Sequence, residues 1–165
     1  MAELQKRRPL RMQGYDYSEQ GLYFLTVCVK DKEKILCDIV GGGVLDAPRP
    51  ELTAVGKIVD KYIKSINNTQ NVTIEKYVIM PDHIHLLVFV ENEGYYGTSR
   101  TPSPTNNIIP KTISGFKRLC NKEIGKNIWQ RGYYDHVIRN EEDYGKHFDY
   151  IENNPVLWLE IRHVI

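Results

Sequence analysis

The 165 residues fall in the size range of one domain, and a hydrophobic content of 41% is enough for an ordinary core. Lys and Arg number 22 against 21 Asp and Glu, a formal charge of +1 that excludes a strongly basic overall field as the means of holding nucleic acid; any such binding must use local patches. No run approaches the roughly 18 apolar residues of a membrane span, and the N-terminus, Met1-Ala2-Glu3-Leu4-Gln5-Lys6-Arg7-Arg8, lacks the apolar core of a secretory signal, so a cytoplasmic location without a membrane partner is expected.

In chain order, a basic group comes first: Lys6, Arg7, Arg8 and Arg11. Residues 21–30 (Gly-Leu-Tyr-Phe-Leu-Thr-Val-Cys-Val-Lys) are dense in aromatic and β-branched types and predict a largely buried strand. Residues 37–50 carry Gly41-Gly42-Gly43 and two prolines, which favour a loop and oppose regular pairing. From 52 to 66 the apolar positions Val55, Ile58, Val59, Tyr62, Ile63 and Ile66 recur at spacings of three and four, an amphipathic helix with Thr53 as its cap. The runs 72–79 and 83–90, split by Met80-Pro81-Asp82, predict a core hairpin. Residues 91–105 are rich in Gly, Ser, Thr and Pro without an apolar period, and a flexible loop is expected over 91–106.

Helical spacing resumes over 108–124 through Ile109, Ile113, Phe116, Leu119 and Cys120; this helix carries most of a second basic group, Lys111, Lys117, Arg118, Lys122 and Lys126. Taken alone, either basic group is equally well a solvated face. Asn140 can cap a third helix, with Glu141, Glu142 and Asp143 in its first turn and Asn153-Asn154-Pro155 as its stop. Strand, helix, strand, strand, helix, with a further helix appended, is the order of an α+β, ferredoxin-like antiparallel sheet forming one domain over 1–165; periodicity does not locate its final strand. Cys28, Cys37 and Cys120 match no zinc or redox spacing and are expected to be packing residues.

Two features could carry chemistry. In a strand, His83 and His85 project from one side while Ile84 points the other way, so both imidazoles can reach one metal ion; two hydrogen-bonded histidines beside a turn would leave the same triplet. On the third helix Asp143, His147, Tyr150 and Asn154 fall along one stripe, and Tyr144, Phe148 and Ile151 along an apolar neighbour. A phenol whose unperturbed pKa is about 10 becomes a nucleophile if a base or cation helps form its phenolate. The chain has 11 tyrosines, and spacing alone does not single out Tyr150.

Met80-Pro81-Asp82-His83-Ile84-His85-Leu86-Leu87 resembles the HUH signature (His, hydrophobic residue, His) of single-tyrosine transposases of the insertion-sequence-200-like kind. Asp149-Tyr150-Ile151-Glu152-Asn153-Asn154-Pro155 is similar to the tyrosine-bearing segment of their REP-associated branch, and the similarity, which includes Tyr23-Phe24-Leu25-Thr26-Val27, Phe116-Lys117-Arg118, Ile128-Trp129-Gln130 and 134–139, runs from about Gly21 to Pro155. The resemblance implies an enzyme that nicks and rejoins single-stranded DNA through a 5′-phosphotyrosine link, with Tyr150 as nucleophile. It implies a divalent ion, magnesium or manganese, on His83 and His85, with Asn154 at the place where relatives offer an amide. It implies a DNA hairpin as partner, for which Arg7, Arg8, Arg11, Lys117 and Arg118 are candidate phosphate contacts and Trp129, Tyr133 and Tyr134 candidate stacking groups, although a tryptophan such as Trp129 is more often a core anchor. His136 and His147 have no assigned part, and both monomer and homodimer fit. The rival readings are another HUH endonuclease of the replication-initiator or relaxase type, a catalytically inactive DNA-binding regulator, and a protein whose histidines serve stability.

Overall fold

Strand β1 (Gly21–Cys28) is paired on both edges, and its alternating residues therefore serve two different interiors. It runs antiparallel to β5 (His83–Val90) from Gly21↔Val90 to Cys28↔His83, and antiparallel to β6 (Tyr134–Ile138) from Leu22↔Ile138 to Thr26↔Tyr134. The strand β4 (Val72–Ile79) closes the other edge of β5, giving the order β4-β5-β1-β6. The computed structural model describes residues 20–43, 46–69, 71–91 and 108–162; Arg7, Arg8, Arg11, His163 and nearly all of the loop expected over 91–106 lie outside these.

One face of the sheet is covered by α1 (Ala54–Ile66) and α2 (Ile108–Ile124). Tyr23, Leu25 and Val27 of β1 meet Val59 and Ile63 of α1 and Ile109, Ile113 and Phe116 of α2 in the larger core. The opposite face takes α3 (Glu141–Arg162), whose Ile151 packs with Phe24, Val78, Met80 and Leu87, flanked by Tyr144, Phe148 and Trp158. The result is the expected ferredoxin-like antiparallel sheet with two helices on one face and the tyrosine-bearing helix appended on the other. The three cysteines are buried and free. No described helix is long and apolar enough to cross a membrane.

The predicted helix caps hold. Thr53 Oγ1 accepts from Gly56 N at 3.0 Å and donates to the Ile35 carbonyl at 2.6 Å, and Asn140 Oδ1 accepts from Asp143 N at 2.9 Å. Two expectations are corrected. Residues 37–50 are not all loop: β2 (Cys37–Val40) pairs with β3 (Arg49–Leu52), and Pro50 opposes Ile39. A two-stranded ribbon tolerates a proline because each strand keeps an unpaired edge, where the missing donor costs little. The helix stop expected at 153–155 fails, since α3 spans 22 residues with Pro155 inside it. Interior proline costs about 3 kcal/mol, which packing beyond it offsets: Trp158 joins the second core and Leu159 reaches the backbone at Gly42. The strand that periodicity leaves unplaced is β6, whose five residues bury little and so carry no clear alternation.

Gly56 in the first turns of α1 has no room for a side chain, because a Cβ there would overlap the Leu36 carbonyl oxygen. Since the obstacle is backbone, Gly56→Ala is expected to destabilise the chain by at least about 2 kcal/mol despite alanine's better helix propensity, read as a lower urea midpoint.

Candidate active site

The register Thr26↔His85 and Cys28↔His83 puts both histidines at one end of the central strand pair, on the face that α3 covers. Their Nε2 atoms are 3.1 Å apart. His83 Nδ1 lies 2.5 Å from Asp82 Oδ1, and His85 Nδ1 lies 2.8 Å from Thr26 Oγ1. A carboxylate can only accept, so His83 carries its proton on Nδ1 and turns the Nε2 lone pair inward. His85 Nε2–H then donates to it, and Thr26 O–H donates to His85 Nδ1. The threonine hydroxyl can equally accept, so the His85 proton can move to Nδ1 and leave two Nε2 lone pairs facing the same point.

That arrangement suits a cation. Two ligands about 2.0–2.1 Å from one ion lie about 2.8–3.4 Å apart between octahedral and tetrahedral geometry, a range that contains the 3.1 Å seen. Both imidazoles are also held neutral. Burial pushes the His83 pKa down, with partial compensation from Asp82, and burial followed by the His83, Lys32 and His147 charges pushes His85 down to about 3.

Helix α3 lays a stripe of residues four apart over this pair. The Tyr150 ring meets His85 edge-on at 5.2 Å between centroids, and the Trp158 ring lies 6.0 Å from His83. Asn154, midway between them on the stripe, is only 5% exposed. Its place between two groups that straddle the histidines makes its amide the candidate third ligand. Tyr150 is 42% exposed, so its phenol is open to an incoming strand. Phe24 fixes the ring cluster from beneath, stacked on His85 at 5.1 Å and edge-on to Tyr150 at 6.0 Å. A cavity of about 390 Å³ opens above Phe24, Thr26, His85, Lys146, His147 and Tyr150.

Three residues of this neighbourhood, Thr26, Phe24 and His136, were singled out by no local pattern, whereas His147 lies on the helical stripe with Asp143 and Tyr150. Thr26 and Phe24 belong to it only through the β1–β5 register, which a local pattern does not reveal. His136 and His147 both bind Asp143: His136 Nε2 at 2.9 Å, His147 Nδ1 at 3.2 Å, with the two rings stacked at 4.6 Å. His136, Asp143 and His147 offer ligand atoms within 4.8 Å of one another and form a second group able to hold a cation.

The candidate DNA contacts separate. Arg118 is exposed on α2, whereas the Lys117 ammonium is spent on the carbonyls of Gln130 (2.9 Å) and Gly132 beneath the 130–132 turn. Burial lowers the Lys117 pKa. Trp129 and Tyr133 are buried at 3% and 5% exposure, so they are core anchors and not stacking surfaces, while Tyr134 stays exposed.

The depressed His85 pKa gives a signed pH dependence. Folded chain holds His85 neutral down to about pH 3, whereas an unfolded imidazole takes its proton near 6.5, so the unfolded state binds more protons between those values. The stabilisation is present above pH 6.5 and is lost as pH falls toward 3. Metal-free protein is expected to lose on the order of 2 kcal/mol from this group between pH 7 and 4.5, since each pKa unit is worth about 1.4 kcal/mol, and urea titration of His85→Gln should show a correspondingly flatter pH dependence.

Residues 49–154 match the family model described as Transposase IS200 like. The chain is 30% identical to an uncharacterized protein of Haemophilus influenzae over 95% of this chain and 92% of that one. It is 27% identical to the REP-associated tyrosine transposase of Escherichia coli K12, over 85% of this chain and 69% of that one. Its fold is similar to a solved REP-associated tyrosine transposase bound to a REP hairpin, with a TM-score of 0.60 at 22% identity over 88% of this chain and 72% of that one. With the matched span running from β3 through Tyr150 to Asn154, the chain belongs to the IS200-like transposase family and, alongside its REP-associated relatives, is a DNA-processing enzyme.

Proposed function

We propose that this protein is a metal-dependent tyrosine transposase that nicks and rejoins single-stranded DNA at a hairpin, with Tyr150 as nucleophile. The observation that carries the reading is the placing of an open phenol edge-on to His85 of a histidine pair whose lone pairs converge. His83, His85 and Asn154 are the residues that would hold a divalent cation, magnesium or manganese, which when bound supplies positive charge against the phosphoryl oxygens.

The rest is the work of the chain. Tyr150 Oη attacks the phosphorus, the bond to the 3′-oxygen breaks, the phenolic proton is surrendered and the departing 3′-oxygen takes one up. The DNA 5′-phosphate is then an ester of Tyr150, with its energy conserved. A second 3′-hydroxyl reverses the step and frees the phenol, without a nucleoside triphosphate. Phe24 and Ile151 hold Tyr150 in place, so attack begins from a fixed geometry and not from a searching side chain. Asp82 sets the His83 tautomer, and the Thr26 hydroxyl orients His85 in either tautomer. All of these residues come from one chain, which supports a site complete in a monomer.

The hairpin is carried from the solved relative bound to one, and the exposed Arg118, with Arg7, Arg8 and Arg11, remains a proposed phosphate contact. The competing reading, an inactive DNA-binding regulator, predicts binding without a covalent product. Incubation with a labelled single-stranded hairpin oligonucleotide and manganese, followed by a denaturing gel, is expected to give a covalent protein–DNA band that disappears in Tyr150→Phe and in His83→Ala. A band that survives Tyr150→Phe and vanishes in Tyr144→Phe would reassign the nucleophile. The second-sphere roles are checked by calorimetry, where Thr26→Val and Asp82→Asn are each expected to weaken manganese binding about 10–100-fold.

A further inference from the structure

Beyond the His83 end of the central strands, the chain turns through Lys30–Lys32 and is met by residues 127–131. Between them lies a cleft of about 520 Å³ lined by Lys30, Asp31, Lys32, Asn127, Gln130 and Arg131, with Trp129 also at its wall. Lys30 and Arg131 face one carboxylate there, while the Lys32 ammonium is held on Cys28 Sγ at 3.7 Å. The amides add donors: Asn127 Oδ1 is occupied by Asn121 Nδ2 at 3.0 Å and Trp129 N at 3.2 Å, which leaves the Asn127 NH2 as its free end among the described residues.

The cleft is built, not draped. Lys30 N donates to the Ile128 carbonyl and Gln130 N to the Cys28 carbonyl, while Lys117 braces the carbonyls of Gln130 and Gly132 from below. Asp31 and Lys32 occupy the left-handed region in succession, at φ 54° and 56°, a costly conformation for residues with side chains that persists where the surroundings impose it. It keeps Lys30 at the wall of the cleft. The same turn adjoins the histidine pair, since the Lys32 charge is felt by both His83 and His85.

We infer that this cleft is a phosphate-binding channel for the unpaired DNA strand flanking the cleavage point, with Lys30 and Arg131 as its principal contacts. This rests on the reading of the chain as a single-strand transposase. Thr26, at the Tyr150 cavity, and Lys30 are four residues apart along an extended backbone, about 13 Å. At about 3.4 Å per nucleotide of a stacked strand, DNA leaving the scissile phosphate reaches the cleft within about four nucleotides. An enzyme of near-zero net charge needs such a local track, because its overall field attracts no DNA.

The test compares the full-length protein with its Lys30→Ala/Arg131→Ala variant by fluorescence anisotropy. The probes are a DNA hairpin with six-nucleotide single-stranded flanks and the same hairpin with the flanks trimmed, between 50 and 200 mM salt. Both residues lie outside the chemistry, so single-turnover adduct formation at saturating flanked DNA is expected to be unchanged. The variant is expected to bind flanked DNA 10–100-fold more weakly, with the slope of log affinity against log salt reduced by about 1.4, two single-strand contacts at about 0.7 each. Trimmed DNA should bind both proteins equally. Equal affinity and slope on flanked DNA, or an equal loss on trimmed DNA, overturns the inference. Repeating the binding arm in Tyr150→Phe protein keeps the result independent of whether Tyr150 is the nucleophile.

Discussion

Everything at the site depends on the antiparallel register of β1 with β5. Because Thr26 stands opposite His85 and Cys28 opposite His83, the hydroxyl that sets one imidazole is delivered by the neighbouring strand. A shift of one residue would turn every side chain of β5 to the other face, exchanging His83 and His85 for Ile84 and Leu86. That slip is blocked by burial on both faces: Ile84 and Leu86 are wholly buried under α1 and α2, and Leu87 under α3. The large core thus holds the histidines in register without touching them.

Electrostatics at this end of the sheet follow from the same placement. Burial disfavours protonation of both histidines, and nearby Lys32 adds to it, so the pair meets a cation as neutral ligands. Asp82 is the compensating charge. The separate cluster of His136, Asp143 and His147 also meets Phe24, through the His147 ring at 4.6 Å, and there a more exposed carboxylate bridges two imidazoles. Phe24 therefore touches a member of each histidine pair, one pair largely buried, the other partly open to water.

The elements with strong local signals were legible from residues alone. The hairpin 72–90 and the helices starting at Ala54 and Ile108 match the expected bounds within two residues, because their period and caps are local. Pro50 and Pro155 misled for a common reason: proline's cost is local, but what offsets it, a free ribbon edge in one case and the docking of Trp158 in the other, is tertiary. The same limit applies at the site. The stripe carrying Tyr150 and Asn154 follows from helical spacing, whereas Thr26, Phe24 and the 30–32 turn belong to it by strand pairing. Lys117 illustrates the converse, a charge that looks free in the sequence and is committed to two carbonyls in the fold.

The sheet divides the interior unequally. Among the described residues, the α1–α2 side buries a wide apolar layer, whereas the α3 side rests on Phe24, Val78, Met80, Leu87 and Ile151. The free energy of opening a layer scales with the apolar area it exposes to water, so α3 can detach from the sheet in an excursion far smaller than global unfolding. Amides of α3 are accordingly expected to exchange their hydrogens ahead of those in β1 and β5, since the helix bearing Tyr150, Asn154 and Trp158 rests on the smaller of the two described apolar layers. The scaffold stays rigid while the layer that closes over the histidines retains freedom to breathe.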